Sequence, residues 1–214
     1  MQGIFFEGTI EENYLGHIMA EVYKDRVYAP FLEGKQDLTI LDIGANVGLT
    51  SHYFSKFAKQ VYAVEPSVEH FGCLSMMIDF NKLTNIKPIN KAIYIKSGEL
   101  PLFHNKNKTM YSLHMAVRDP SLKEEMVNCV TFVDLFKDEG IEHVDFMKLD
   151  VEGSEVEILS SRSFKDVADK IDLIIGELHG WTGRHPNQIN EALKSAGFKV
   201  ENIPSDANIF VAKK

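Results

Sequence analysis

Residues 38–48 read Leu38-Thr-Ile-Leu-Asp42-Ile-Gly44-Ala-Asn46-Val-Gly48. A short apolar run ends in an acid and opens into a glycine-bounded turn, and an amphipathic stretch follows. That order predicts a buried strand over Leu38–Ile43, a turn over Gly44–Gly48 and a helix over Leu49–Phe57. Downstream, the unit recurs. Strands are expected at Val61–Val64, Ile86–Ile89, Val144–Leu149 and Ile171–Ile175, with helices at Val68–Asn81, Ser154–Ser160 and Asn187–Ala196 between and after them. Alternating strand and helix predicts an α/β protein with a doubly wound, mostly parallel sheet and helices on both faces. Phe198–Ile203 and Ala207–Ala212, joined by Pro204-Ser-Asp206, predict one antiparallel strand at or near the sheet edge.

Upstream lies a lead-in, residues 1–37. Thr9 and Glu12 fit a capping box, and Tyr14, Ile18, Met19 and Val22 follow at helical spacing, with Pro30 as the expected stop. Residues 38–214 then form the main domain. They are interrupted at about 91–140 by an insertion, in which Ala92–Ile95 and Leu100–His104 read as a hairpin around Ser97-Gly98. Asn105–Glu125 is polar, and Thr131–Lys137 reads as a short helix. Long polar segments inside a compact domain tend to carry function, so the insertion and the lead-in are expected on the substrate side.

The chain has 214 residues and a formal net charge of −8, which disfavours a general affinity for nucleic acid. Cys73 and Cys129 stand outside any CxxC or Cys/His cluster, so neither a disulfide framework nor a structural zinc site is expected. No apolar run is long enough to span a bilayer, and the N-terminus lacks a basic start and long apolar core. A cytoplasmic protein away from membranes is the expectation. Nothing in the pattern specifies an oligomeric state.

Three stretches carry candidate chemistry. The first is the glycine turn with Asp42, Gly44, Asn46 and Gly48, together with Glu65, an acid 23 residues beyond Asp42 at the end of the second strand. Glycines let backbone approach a ligand, and an acid at that strand end holds ribose hydroxyls, so a nucleoside cofactor is expected. The turn departs from Gly-x-Gly-x-x-Gly, and Glu65 disfavours a 2′-phosphate. The second is Lys148-Leu-Asp150-Val-Glu152-Gly-Ser-Glu155. Asp150 and Glu152 are expected to face the same crevice, whereas Ser154 and Glu155 are explained as a helix start. The third is Gly176-Glu177-Leu-His179-Gly-Trp181, which puts an imidazole at a strand end. Asp150, Glu177 and His179 would also suit a divalent metal, but their spacing is not diagnostic, and a metal-free site is the expectation. His104, His114 and His185 are read as ordinary histidines.

These stretches, above all Phe146-Met-Lys-Leu-Asp-Val-Glu-Gly-Ser-Glu155 with Asp42–Gly48 and Val64-Glu65-Pro66, resemble the FkbM-type S-adenosylmethionine-dependent methyltransferases. The resemblance implies a seven-stranded class I methyltransferase fold and S-adenosylmethionine as cofactor. It implies that the Asp42–Gly48 loop wraps the methionine end, that Glu65 holds the ribose and that Asn90-Lys-Ala92 lies near the adenine. It also implies methyl transfer to a hydroxyl of a small molecule or glycan. Within that chemistry His179 is the first candidate base and Glu152 the second, and Asp150 orients the acceptor or the cationic end of the cofactor. Neighbouring carboxylates are expected to raise the His179 pKa. The alternatives are a nicotinamide-dependent oxidoreductase and a catalytically silent cofactor-binding protein.

Overall fold

Every residue of β1, Leu38–Ile43, is buried, as a strand covered on both faces must be. The structure, a computed structural model, describes residues 12–104, 111–113, 123–179, 183, 185–202 and 208–214. Thr9, His114, Trp181 and the Pro204–Asp206 turn lie outside them. The other strands of the main sheet are β2 (Ala58–Val64), β3 (Ile86–Ile89), β8 (Phe146–Leu149), β9 (Leu173–Glu177), β10 (Lys199–Asn202) and β11 (Ile209–Lys213). Their order is β10-β11-β9-β8-β1-β2-β3. β1 pairs in parallel with β2 and β8, and β8 with β9, while β11 runs antiparallel between β9 and β10. The seven-stranded, mostly parallel sheet with one reversed strand is thus present.

Alternate residues of the central strands feed two cores. Leu41, Met147 and Ile174 point to one layer with Phe132, Leu159, Phe164 and Leu193. Ile40, Phe146 and Ile175 point to the other with Leu32, Phe54, Leu74 and Met77. The strand period of two is what assigns successive apolar residues to opposite layers. The first layer receives α5 (Phe132–Glu139), α6 (Glu155–Ser160), α7 (Arg162–Lys165) and α8 (Pro186–Ser195). The second receives α2 (Ala29–Leu32), α3 (Leu49–Phe54) and α4 (Val68–Asn81). In that layer Phe146 meets Phe54 and Tyr28 edge-on, with centroids 5.2 and 6.2 Å away.

The lead-in differs from expectation at its end. α1 (Glu12–Met19) continues as a π-helical turn through Lys24, and the chain leaves it before Pro30. Pro30 instead sits in the first turn of α2, where its missing N–H has no helical partner to lose. Strand β9 also begins later than Ile171, which makes only an isolated bridge with Val144, and it runs on through Glu177.

The insertion is a second sheet. β4 (Ala92–Ile93), β5 (Gly98–His104), β6 (Tyr111–Ser112) and β7 (Lys123–Val130) lie in the order β4-β7-β5-β6. This corrects the expected hairpin. Ala92 and Ile93 pair in parallel with Cys129 and Val130, and β5 pairs antiparallel along β7 from Gly98↔Cys129 to His104↔Lys123. Ser97-Gly98 therefore connects strands on opposite sides of β7. That strand is hard to read in sequence because one face exposes Glu124, Met126 and Asn128, and with Lys123 these continue the polar segment before it, while only Val127, Cys129 and Val130 are buried. Both cysteines are free and buried. Among the described residues no helix is long and apolar enough to cross a membrane.

Candidate active site

The turn after β1 is fixed by close packing. Gly44 has φ +77°, and a Cβ there would stand 1.7 Å from the Asp150 carbonyl oxygen. Only glycine lets the β1 and β8 ends approach so closely. Its amide and that of Ala45 donate to Val64 O, both at 3.0 Å. Asp42 is wholly buried beneath the turn. Its Oδ2 accepts from Ser51 Oγ at 2.6 Å, and its Oδ1 lies 3.7 Å from Lys148 Nζ. Burial raises the Asp42 pKa, with Lys148 and Ser51 opposing. Lys148 donates to Gly44 O at 2.9 Å and to Asp150 Oδ2 at 3.3 Å. Burial works against its ammonium, but Asp150 and Asp42 outweigh that and hold its pKa above the usual lysine range. Asp42 thus anchors the loop from behind through Lys148 and α3.

Glu65 follows β2 and is buried. Its two oxygens accept from Asn46 N at 2.8 Å and Ser67 N at 2.9 Å. Burial raises its pKa to about 7 against those hydrogen bonds. It lines a cavity of about 660 Å³, open to solvent, beside Gly44, Asn46, Ala92 and Asp150. Ile43, Val64, Ile93, Leu102 and Leu113 supply apolar wall, so the second sheet roofs the cavity. Gly48 does not line it. That glycine has φ +90° and lies against Leu74 and Met77 of α4. Asn90 Nδ2 donates to the carbonyls of Glu65 and Pro66, which places Lys91 and Ala92 on the cavity wall.

Beyond β8 the chain turns sharply. Glu152 has φ +54°, in the left-handed region that few non-glycine residues enter, and Gly153 follows at +112°. Ser112 Oγ of β6 donates to Glu152 O at 2.6 Å, tying the second sheet to this turn. His179, two residues past β9, meets it. Its Nδ1–H donates to Glu155 Oε1 at 2.8 Å, and its Nε2 faces Glu152 Oε2 at 3.3 Å and Asp150 Oδ1 at 3.8 Å. Burial disfavours the imidazolium, but Glu155, Glu152 and Asp150 overcome it and raise the pKa to about 9. Burial raises Glu152 to about 7, with Asp150, Glu177 and Glu155 adding to it and His179 opposing. Glu177 is raised by burial and by Asp150. A second, smaller cleft of about 280 Å³ lies across Asp150 from the first and is lined by Glu21, Tyr28, Lys148 and Glu177.

The structure therefore brings Asp150, Glu152 and His179 together, sets Glu65, Gly44, Asn46 and Ala92 on the adjoining cavity, and leaves Asp42 and Gly48 as supports of the loop. Two residues gained no site role from sequence. Lys148 could have been noticed as a lone cation inside a buried apolar strand. Glu155 was absorbed by its place in a helix first turn, and only the fold reveals that its carboxylate faces His179.

A doubly wound sheet with one reversed strand, a glycine turn after its first strand and an acid after its second defines a class I methyltransferase. The FkbM methyltransferase domain matches residues 42–200, well over half of the chain, and the chain belongs to that family. A curated relative, methyltransferase sdnD of Sordaria araneosa, is 25% identical, with 86% of this chain and 82% of that protein covered. A putative methyltransferase from Streptococcus mutans, solved with S-adenosylhomocysteine, matches at TM-score 0.56 and 10% identity over 88% of this chain and 94% of that one. A putative rRNA methylase from Clostridium thermocellum matches at TM-score 0.54 and 9% identity, covering 95% of this chain and 97% of that one. At such identities the solved structures speak for the fold alone. Membership of the family makes the chain an S-adenosylmethionine-dependent methyltransferase and sets the nicotinamide reading aside. The cavity fits that cofactor: it is lined by the backbone turn at Gly44 and Asn46, by the buried carboxylate of Glu65 and by apolar walls for a base.

Proposed function

We propose that the chain methylates a hydroxyl oxygen of a small molecule or sugar. The observation that supports this reading is that Asp150, which lines both cavities, and Glu152, on the wall of the first, converge on the imidazole of His179. A hydroxyl must shed its proton as it is alkylated, and a cluster of carboxylates around an imidazole answers that need. Glu65 and the Gly44–Gly48 loop hold the nucleoside and methionine portions of the cofactor. When bound, S-adenosylmethionine supplies a methyl carbon whose bond to sulfur breaks, the electron pair staying on sulfur, as the acceptor oxygen forms the new carbon–oxygen bond. The acceptor O–H proton passes to the cluster, His179 first and Glu152 second. Asp150, held by Lys148, sits on the wall shared by the two cavities and aligns the acceptor. Glu21 and Tyr28 of the lead-in and Glu177 of β9 line the acceptor side. The net charge of −8 favours a small acceptor over a polyanion.

The test is release of S-adenosylhomocysteine with panels of hydroxylated small molecules and sugars, of amines, and of RNA. Turnover with hydroxylated acceptors and a methyl ether in the product is expected. Turnover confined to amines or to RNA overturns the reading.

A further inference from the structure

We propose that Asp150, Glu152 and His179 hold a divalent cation, of the Mn²⁺ type, that receives the acceptor hydroxyl. Its catalytic role rests on the methyl-transfer reading above, whereas its binding does not. One donor atom from each of the three residues lies within 4.8 Å of the others. The Nε2–Oε2 and Nε2–Oδ1 separations are 3.3 and 3.8 Å. Ligands at right angles around an ion some 2.1–2.2 Å away stand about 3 Å apart, so a small inward movement completes the set. Two carboxylates and one imidazole are a mixed hard and borderline donor set that leaves open positions for an oxygen substrate.

A second observation comes from behind the imidazole. The side chain of Glu155 is wholly buried, and its Oε1 accepts from His179 Nδ1–H and from Gly153 N. That hydrogen bond holds the proton on Nδ1, so Nε2, once an incoming ion displaces its own proton, turns a lone pair toward Asp150 and Glu152, the arrangement in which a buried carboxylate supports a metal-bound histidine. Glu155 Oε2 has no hydrogen-bond partner among the described residues, and neither do Asp150 Oδ1 and the hydroxyl of Ser154, itself 2% exposed on the cavity wall. Charge points the same way. Asp42, Asp150, Glu152 and Glu155 form a nearly continuous group of carboxylates that meets the Lys148 ammonium and the His179 ring. The carboxylates outnumber the cationic groups beside them by four to two in a half-buried place, a setting that favours a further cation. With it in place His179 and Glu152 are ligands, and this route replaces proton transfer to them in the metal-free reading above. The coordinated hydroxyl then ionises by releasing its proton to water, and the electron pair stays on the oxygen that attacks.

The experiment titrates Mn²⁺ into cofactor-free protein stripped of metal, followed by calorimetry and by the electron spin resonance of the ion. Wild type is expected to bind one ion with a nitrogen ligand visible in the resonance. Asp150→Asn, Glu152→Gln and His179→Ala should each weaken binding at least tenfold, and His179→Ala should also erase the nitrogen signature. Glu155→Gln, which keeps the packing, should weaken it by about tenfold. His143→Ala alters a separate exposed group, His143 with Asp145 and Asp172, and should change nothing. Unchanged S-adenosylmethionine affinity in His179→Ala certifies the fold. Failure of wild type to bind the ion, or equal binding by His179→Ala, overturns the site. Tight binding with methylation indifferent to chelator overturns the catalytic role. A bound ion with no methyl ether formed from any hydroxylated acceptor leaves the site standing and removes the O-methylation reading instead.

Discussion

Burial raises the Glu65 pKa from 4.5 to about 7 in spite of the amides of Ser67 and Asn46. The folded chain therefore holds that proton more tightly than the unfolded chain does. The stability this confers is complete below about pH 4.5 and is lost as pH rises to about 7, a difference of roughly 3 kcal/mol. Urea unfolding across that range should show stability falling with pH in wild type. The slope should flatten in Glu65→Gln, and an equal slope in both would assign it elsewhere. In the proposed binding mode the cofactor has the opposite preference, because its ribose hydroxyls would donate to the ionised carboxylate, whose oxygens keep lone pairs beyond those used by the two amides. Cofactor affinity should thus improve as pH passes about 7, and Glu65→Gln should cost about tenfold in affinity above that pH. Calorimetric dissociation constants that are equal for the two proteins would remove Glu65 from the ribose. The position of this acid, one residue beyond an apolar run, is what made it legible in sequence. Glu155 was not legible, since its partner His179 is distant in the chain and comes from another strand end.

At the level of elements, Gly72 and Gly44 have opposite sensitivities. Gly72 lies within α4 with nothing inside 4 Å of a Cβ built there. Gly72→Ala should stabilise the protein by about 0.5–1 kcal/mol by restraining the unfolded chain and restoring helix propensity. At Gly44 the same change drives a Cβ into the Asp150 carbonyl from a left-handed conformation, so β1 and β8 must part. Gly44→Ala should cost more than about 3 kcal/mol and weaken cofactor binding as well. Chemical denaturation of both variants checks the pair, and a neutral Gly44→Ala would show that the turn yields. Elements of the main sheet were legible because buried parallel strands are continuous apolar runs, as Leu38–Ile43 and Phe146–Leu149 show. The second sheet was not. A strand such as β7, with one face exposed, disperses its apolar residues among charges, and its partners are set by long-range pairing that local pattern does not encode.

For the whole molecule, the cofactor cavity is a joint between two sheets. Its floor is the carboxyl ends of β1, β2 and β8, its roof is Leu102 and Leu113 of the insertion, and Ser112 bonds the roof to the Glu152 turn. A ligand seated there touches both sheets, so binding must draw on the folding equilibrium of the entire chain. At a concentration about a hundred times its dissociation constant, S-adenosylmethionine should add about 2.7 kcal/mol to stability by mass action. For a domain of this length that raises Tm by roughly 5–10 °C. S-adenosylhomocysteine should act alike, because the contacts proposed for Glu65, the loop and the roof fall on parts common to both molecules. NAD should give no shift, since the Gly44–Gly48 turn lacks the third glycine of a pyrophosphate cradle and the acid-lined cluster would face a phosphate. Differential scanning calorimetry with the three ligands in parallel decides the matter. A shift with NAD equal to that with S-adenosylmethionine would mean that the cavity reads only adenosine, and the methionine end would then have no specific seat on the Asp42–Gly48 loop.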